Sequence, residues 1–137
     1  MLDVGSGSGI LAICASKLGA AKCAACDIDP IAVRTEKENA ERNGCDNIDC
    51  YVSDLLSDVK NIDGRPFDIV TANIVADIII RLAPGIGAFI RPDGLFIASG
   101  IIDEREAEVD AALKKCGMIK LSAKHEKGWC AVLFKKP

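Results

Sequence analysis

The chain has 137 residues, half of them hydrophobic and 27% charged, and carries a net charge of -3. That is one domain's worth of sequence, residues 1–137, with a balance that excludes a disordered tail and no apolar run near the ~18 residues of a membrane-spanning helix. Its scattered Lys and Arg lack the basic footprint of a general nucleic-acid binder, and Met1-Leu2-Asp3-Val4-Gly5 has neither basic leader nor apolar run, so a cytoplasmic protein is expected.

Leu2 to Val4 is a short apolar run that meets glycines, and Ile10, Leu11, Ile13, Cys14 and Leu18 follow at near-helical spacing. This is strand, tight turn, helix. Gly19 stops the helix, and Lys22 to Ile28 gives a second strand of small residues ending in acids. Asp29-Pro30 marks the next helix start, with Asp29 as N-cap and Pro30 in the first helical position. The charged helix behind it runs to Asn43-Gly44, with Glu38 and Arg42 spaced to pair. Ile48 to Val52 is a third strand, and Phe67 to Ala72, after Gly64-Arg65-Pro66, is a fourth; both are expected to be buried.

Ile78, Ile79 and Leu82, then Ile86, Phe89 and Ile90, keep helical spacing, and Pro84 between them is expected to break or kink the helix. A type I turn at Arg91-Pro92-Asp93-Gly94 leads into a fifth strand, Leu95 to Ser99. Asp103 and Glu106 have the spacing of a capping box, ahead of a helix that buries Val109, Ala112, Leu113 and Cys116 and ends at Gly117. Met118 to His125 and Trp129 to Phe134 pair as an antiparallel hairpin across a three-residue loop, Glu126-Lys127-Gly128. Alternating strands and helices closed by a hairpin define an α/β fold, a doubly wound, mainly parallel seven-stranded sheet with an antiparallel C-terminal hairpin.

The seven cysteines offer no two matched pairs for zinc, and Cys23 and Cys26 fall in a strand, where residues three apart point to opposite faces. They are expected to be reduced thiols buried as small hydrophobes, and no metal is expected. His125, the single histidine, reads as structural, and Trp129 as core or hairpin packing.

In a sheet of this kind the ligand lies beyond the carboxyl ends of the strands, with the first strand-to-helix turn as its floor. That turn is Gly5-Ser6-Gly7-Ser8-Gly9. Its glycines let backbone approach a ligand, and the following helix presents free N–H groups. Asp27 stands 22 residues after Gly5, at the end of the second strand, where a carboxylate can accept hydrogen bonds from the two hydroxyls of a ribose. The dinucleotide fingerprint needs a third glycine where this chain has Ile10, which disfavours a nicotinamide cofactor. No Gly-Lys-Ser/Thr follows for a P-loop.

These residues resemble a known family. Asp3-Val4-Gly5-Ser6-Gly7-Ser8-Gly9 and Asp27-Ile28-Asp29-Pro30 are similar to the cofactor motifs of class I methyltransferases. Asn39-Ala40-Glu41-Arg42-Asn43-Gly44, Ala72-Asn73-Ile74-Val75-Ala76-Asp77 and the late Glu126-Lys127-Gly128-Trp129 resemble the bacterial ribosomal protein L11 methyltransferases. The resemblance covers nearly all of the chain. It implies S-adenosyl-L-methionine as cofactor and ribosomal protein L11 as substrate, methylated on α-amino and lysine ε-amino groups.

By motif match, Gly5 lies against the methionine part of the cofactor, Asp27 holds the ribose, Asp54 contacts adenine and Asn73 stands where the methyl group is delivered. Asp3, Gly7 and Gly9 complete the cofactor set. Many amino-directed methyltransferases continue Asn-Pro-Pro-aromatic at this point, whereas here Ile74, Val75 and Ala76 follow Asn73. Family members also carry an N-terminal recognition domain and a cofactor-contacting Thr ahead of the first strand, and this chain opens on that strand. Three functions are therefore carried forward: a ribosomal-protein methyltransferase domain, a methyltransferase of a small molecule or nucleic acid, and a noncatalytic cofactor-binding module.

Overall fold

A computed structural model describes residues 1–57 and 66–137, so the expected turn residues Gly64 and Arg65 lie outside the described residues. Two compact units divide the chain, Met1–Arg65 and Pro66–Pro137.

The first unit alternates β1 (Leu2–Val4), α1 (Ile10–Lys17), β2 (Cys23–Asp27), α2 (Pro30–Arg42) and β3 (Ile48–Val52). All its strand pairs are parallel, in the order β3-β2-β1, with Asp3 opposite Ala25 and Asp27 opposite Val52. β2 is built of Cys23, Ala24, Ala25 and Cys26, each at most 1% exposed. Side chains this small let α1 lie close, and Ala12 packs on Cys23 and Ala25 while Ile13 meets Ala40 and Cys45. Asp29 caps α2 as expected, its Oδ1 accepting the Ile31 N–H at 2.8 Å with Pro30 in the first turn. The Glu38–Arg42 pair forms at 3.8 Å, and both side chains are largely exposed, so it adds a few tenths of a kcal/mol, about 0.3. β3 departs from expectation: it is only partly buried, and Val52 is 48% exposed, because it pairs with β2 on one side within its unit.

The second unit holds β4 (Phe67–Asn73), α3 (Ala76–Ile86), β5 (Ile90–Ile102), α4 (Glu106–Lys115), β6 (Ile119–Glu126) and β7 (Trp129–Lys135). β4 and β5 are parallel, β5 pairs β7 antiparallel, and β7 pairs β6 antiparallel. Its core is Phe96, Phe134, Ile79, Ile86, Ile101 and Leu113, all fully buried. β4 buries Phe67, Val70, Thr71 and Ala72 but exposes Asp68 and Ile69. The helix runs through Pro84 to Ile86 before a 3-10 turn at Gly87–Phe89. A proline so near the C-terminus removes one N–H bond of the last turn, and burial of Leu82, Ala83 and Ile86 carries the helix past it.

Three further expectations are corrected here. Arg91 to Gly94 do not form a type I turn ahead of a strand; they are a bulge within β5, where Phe67 pairs with Ile90 but Ile69 with Leu95, and Asp93 takes φ 64. Asp103 does not cap α4, whose N-cap position is Arg105 after a 3-10 turn at Asp103–Arg105, because the Asp103 carboxylate is held by His125 instead. The hairpin loop has two residues, not three: Glu126 pairs with Trp129, and Lys127 and Gly128 both have positive φ, as a type I′ turn requires.

All seven cysteines are free; Cys14 and Cys116 are exposed, so burial holds fully for only four of the set, Cys23, Cys26, Cys45 and Cys130. Among the described residues no helix is long and apolar enough to cross a membrane.

Candidate active site

In the first unit β1 runs directly into the glycine turn. The N–H groups of Gly5 and Ser6 both donate to the Cys26 carbonyl, at 2.8 and 3.0 Å, which fastens the turn to the end of β2. Asp27 sits one residue on and is partly exposed. Its Oδ2 accepts the Gly7 N–H at 2.9 Å and its Oδ1 accepts the Asp29 N–H at 3.0 Å. A carboxylate has about four acceptor positions, so these two bonds leave room for a diol as well. Asp27 therefore braces the turn and remains able to bind a ribose.

Helix α2 supports the turn from beneath. Ser6 Oγ donates to Glu36 Oε2 at 2.9 Å, and Asn39 Nδ2 donates to the Ser8 carbonyl at 2.9 Å. A Cβ on Gly9 (φ 84) would lie 2.7 Å from Glu36 Cγ, so only glycine fits above that side chain. A Cβ on Gly7 would meet nothing within 4 Å. The turn is thus packed on its inner side and open at Gly7, the shape of a ligand cradle. Nor is any first-turn N–H of α1 taken by a capping side chain.

Of the remaining residues, Asp3 is 1% exposed on β1, opposite Ala25 of β2. Asp54 is exposed just after Ser53, whose N–H donates to the Asp27 carbonyl at 2.9 Å, and the Asp54 carbonyl accepts from Ser57 Oγ at 3.1 Å. Ile28 and Val52, at the same end of β2 and β3, are 65% and 48% exposed. Two aliphatic side chains left bare beside a polar turn suit a flat apolar ring.

The second unit places Asn73 at the exposed end of β4, opposite Ser99 of β5. The Ile74 N–H donates to the Ser99 carbonyl at 3.1 Å. A Cβ on Gly100 (φ 77) would come within 2.7 Å of Asn73 Oδ1, so the glycine makes room for the amide. Gly100 also lines a groove of about 650 Å³ with Ser99, His125, Trp129 and Cys130. Trp129, expected as core or hairpin packing, is not core: it stands on the hairpin, 53% exposed on this groove.

His125 is held between two acids, its Nδ1 2.9 Å from Asp103 Oδ1 and its Nε2 3.3 Å from Glu106 Oε2, and the Asp103 bond raises its pKa above the ordinary value. Lys120 balances Glu106 and Asp110 on the other side. Asp103, His125 and Cys130 bring their ligand atoms within 4.8 Å of one another. Both imidazole nitrogens already face carboxylates, so the cluster works as a charge network.

Sequence reasoning singled out the turn, Asp27 and Asn73; it did not single out Ser6, Glu36, Asn39 or Gly100, which the structure places in the turn or against the turn or Asn73. Ser6 and Asn39 stood inside quoted motifs, and Gly100 could have been noticed as a glycine closing a strand. Glu36 gave no signal, since an acid within Arg34-Thr35-Glu36-Lys37-Glu38 reads as part of a solvated face.

A glycine turn braced by the acid ending the next parallel strand, within the first unit, is the form of a Rossmann-like protein of the class I methyltransferase kind. Solved structures bear out that fold, with its seven strands mainly parallel and closed by an antiparallel hairpin. The RNA methyltransferase from Salinibacter ruber, in complex with S-adenosyl-L-homocysteine, superposes with a TM-score of 0.75 at 20% identity, over 99% of this chain and 79% of that one. The ribosomal protein L11 methylase from Lactobacillus delbrueckii subsp. bulgaricus reaches 0.92 at 34% identity, over 99% of this chain and 69% of that one.

The family model described as Ribosomal protein L11 methyltransferase (PrmA) matches residues 1–137, and this chain belongs to that family. The ribosomal protein L11 methyltransferase of Caldanaerobacter subterraneus subsp. tengcongensis is 45% identical over 136 residues, covering 99% of this chain and 42% of the relative. The chain spans about two fifths of the curated relatives it matches.

Proposed function

We propose that residues 1–137 form the S-adenosyl-L-methionine-binding domain of a cytoplasmic enzyme that methylates α-amino and lysine ε-amino groups of ribosomal protein L11. The observation that carries the reading is the double use of Asp27, which braces Gly7 and retains acceptor capacity at the open side of the turn. Asp27 holds the ribose diol, Gly5, Gly7 and Gly9 bring backbone against the methionine part, and Asp3 lies under them. Asp54 contacts the adenine beside Ile28 and Val52. The uncapped start of α1 suits the carboxylate of a bound amino acid.

When bound, the cofactor supplies a methyl group on a positively charged sulfur that leaves as a neutral thioether. The protein's task is to align a neutral amine and exclude water. Asn73 Oδ1, positioned against Gly100, accepts an N–H of the amine and so aims the nitrogen lone pair. The groove that reaches Gly100 admits the substrate side chain, whose amine reacts in its neutral form. The proton displaced from the nitrogen passes to solvent.

The test is a single-turnover reaction of the full-length protein with ribosomal protein L11, followed by mass mapping of the product. Methyl groups on the N-terminus and on lysines are the expected result. Transfer to RNA or to a small amine in preference to L11 would overturn the substrate assignment while keeping the methyltransferase.

A further inference from the structure

Glu36 is the one acid of α2 that the fold turns fully inward; it is 0% exposed. Its Oε2 accepts the Ser6 hydroxyl, while Oε1 has no hydrogen-bond partner of normal geometry and lies 3.1 Å from the place of a Gly9 Cβ. The carboxyl therefore sits directly beneath the turn proposed to carry the cofactor. Every element around it contributes neutral or acidic groups: Asp3 from β1, Ser6 from the turn, Cys26 and Asp27 from β2, and Cys50 from β3. The cation next in sequence, Lys37, is exposed and acts on Cys50.

A buried carboxyl among acids is held back from ionising, and a positive charge arriving above it reverses that balance. S-adenosyl-L-methionine carries such a charge on its sulfur; S-adenosylhomocysteine, the product, does not. Resting on the cofactor assignment above, we propose that Glu36 is a positioning residue that supports the glycine turn through Ser6 and, by ionising under the sulfonium, selects the charged cofactor over its uncharged product. Burial, opposed by the Ser6 hydrogen bond, pushes its pKa up to about 7. The selection therefore operates across neutral pH. By linkage, binding of the cation releases a proton from Glu36, and binding of the product does not.

The experiment is calorimetric titration of the 137-residue chain with each ligand at pH 6 and pH 8, alongside a carbon-13 NMR titration of the Glu36 carboxyl in the free protein. A preference for S-adenosyl-L-methionine over S-adenosylhomocysteine that grows about tenfold between the two pH values is expected, the size of a one-unit pKa coupling. In Glu36→Gln, where the amide oxygen can still accept from Ser6, the preference should not change with pH. Ser6→Ala keeps the acid and removes the bond that lowers its pKa, so both the NMR midpoint and the pH window of selection should move upward.

A preference that is flat with pH in the wild type, or equally steep in Glu36→Gln, would overturn this role while leaving the cofactor assignment intact. An NMR midpoint in the ordinary carboxylate range would do the same. Failure of both ligands to bind at either pH would instead overturn the cofactor assignment, and the selection with it.

Discussion

The two units reach their candidate residues by different routes. In Met1–Arg65 the site is backbone: a turn hung on the Cys26 carbonyl, an N–H on Asp27, and glycines that leave space above and fit tightly below. In Pro66–Pro137 it is side chains gathered by sheet register, with Asn73 opposite Ser99, His125 opposite Cys130, and Trp129 left exposed at the hairpin. Backbone sites leave spaced glycines in a sequence. Sites assembled by sheet register, parallel at Asn73 and antiparallel at His125, leave residues scattered along the sequence, with no spacing to read.

This difference predicts where substitutions should act on folding and where on chemistry. The largest effect belongs to the buried support of the first unit. Glu36 has a folded pKa of about 7, above its unfolded value near 4.5. Its contribution to stability is therefore fully present below the unfolded value and lost as pH rises through the folded one. The wild-type chain should lose about 3 kcal/mol from this group between those pH values, from 1.36 kcal/mol per unit. Denaturant unfolding across that range would show a shallower decline for Glu36→Gln; parallel profiles would mean that the carboxyl is solvated.

Next is Asp27→Ala, which should weaken binding of S-adenosyl-L-methionine by about 1.5 to 3 kcal/mol through the lost ribose contacts. Because Asp27 also takes the Gly7 and Asp29 N–H groups, stability should fall as well, by about 1 kcal/mol. Calorimetry and thermal unfolding of the same variant separate the two losses. Unchanged affinity would reduce Asp27 to a brace.

Asn73→Ala, made in the full-length protein, should slow methyl transfer tenfold or more, about 1.4 kcal/mol, with a smaller change in cofactor affinity. Intact turnover with reduced thermal stability would make Asn73 a strand-end residue only, and the second unit would then contribute no chemistry through it. The smallest effect is expected at Trp129→Ala. A side chain 53% exposed should change stability by under about 0.5 kcal/mol. A loss of several kcal/mol would show that the ring is packed after all.

The same contrast explains what was legible from sequence. Asp29-Pro30 announced α2 because capping chemistry is local, and the glycine turn next to Asp27 was legible because its geometry rests on backbone spacing. Asp103 and Glu106 matched an equally local pattern and misled, since His125, 22 residues away, competes for the same carboxylate. For Trp129 the sequence left core and hairpin packing both open, since register alone decides which face of a hairpin is covered. Strand β3 carries enough apolar residues for a buried strand, yet a place at the end of its unit's strand order leaves half of Val52 bare. Glu36 is the extreme case: nothing local distinguishes it from Glu38 two residues on, and only packing of α2 beneath the turn puts one in the interior and the other in solvent.

The central claim, that the Gly5–Gly9 turn and Asp27 form a site for a sulfonium nucleoside rather than a dinucleotide, is tested most directly by titrating the chain with S-adenosyl-L-methionine and NAD in one calorimetric series. Saturable binding of S-adenosyl-L-methionine, lost in Asp27→Ala, with no heat from NAD, is the result the site predicts. Tighter binding of NAD would contradict it.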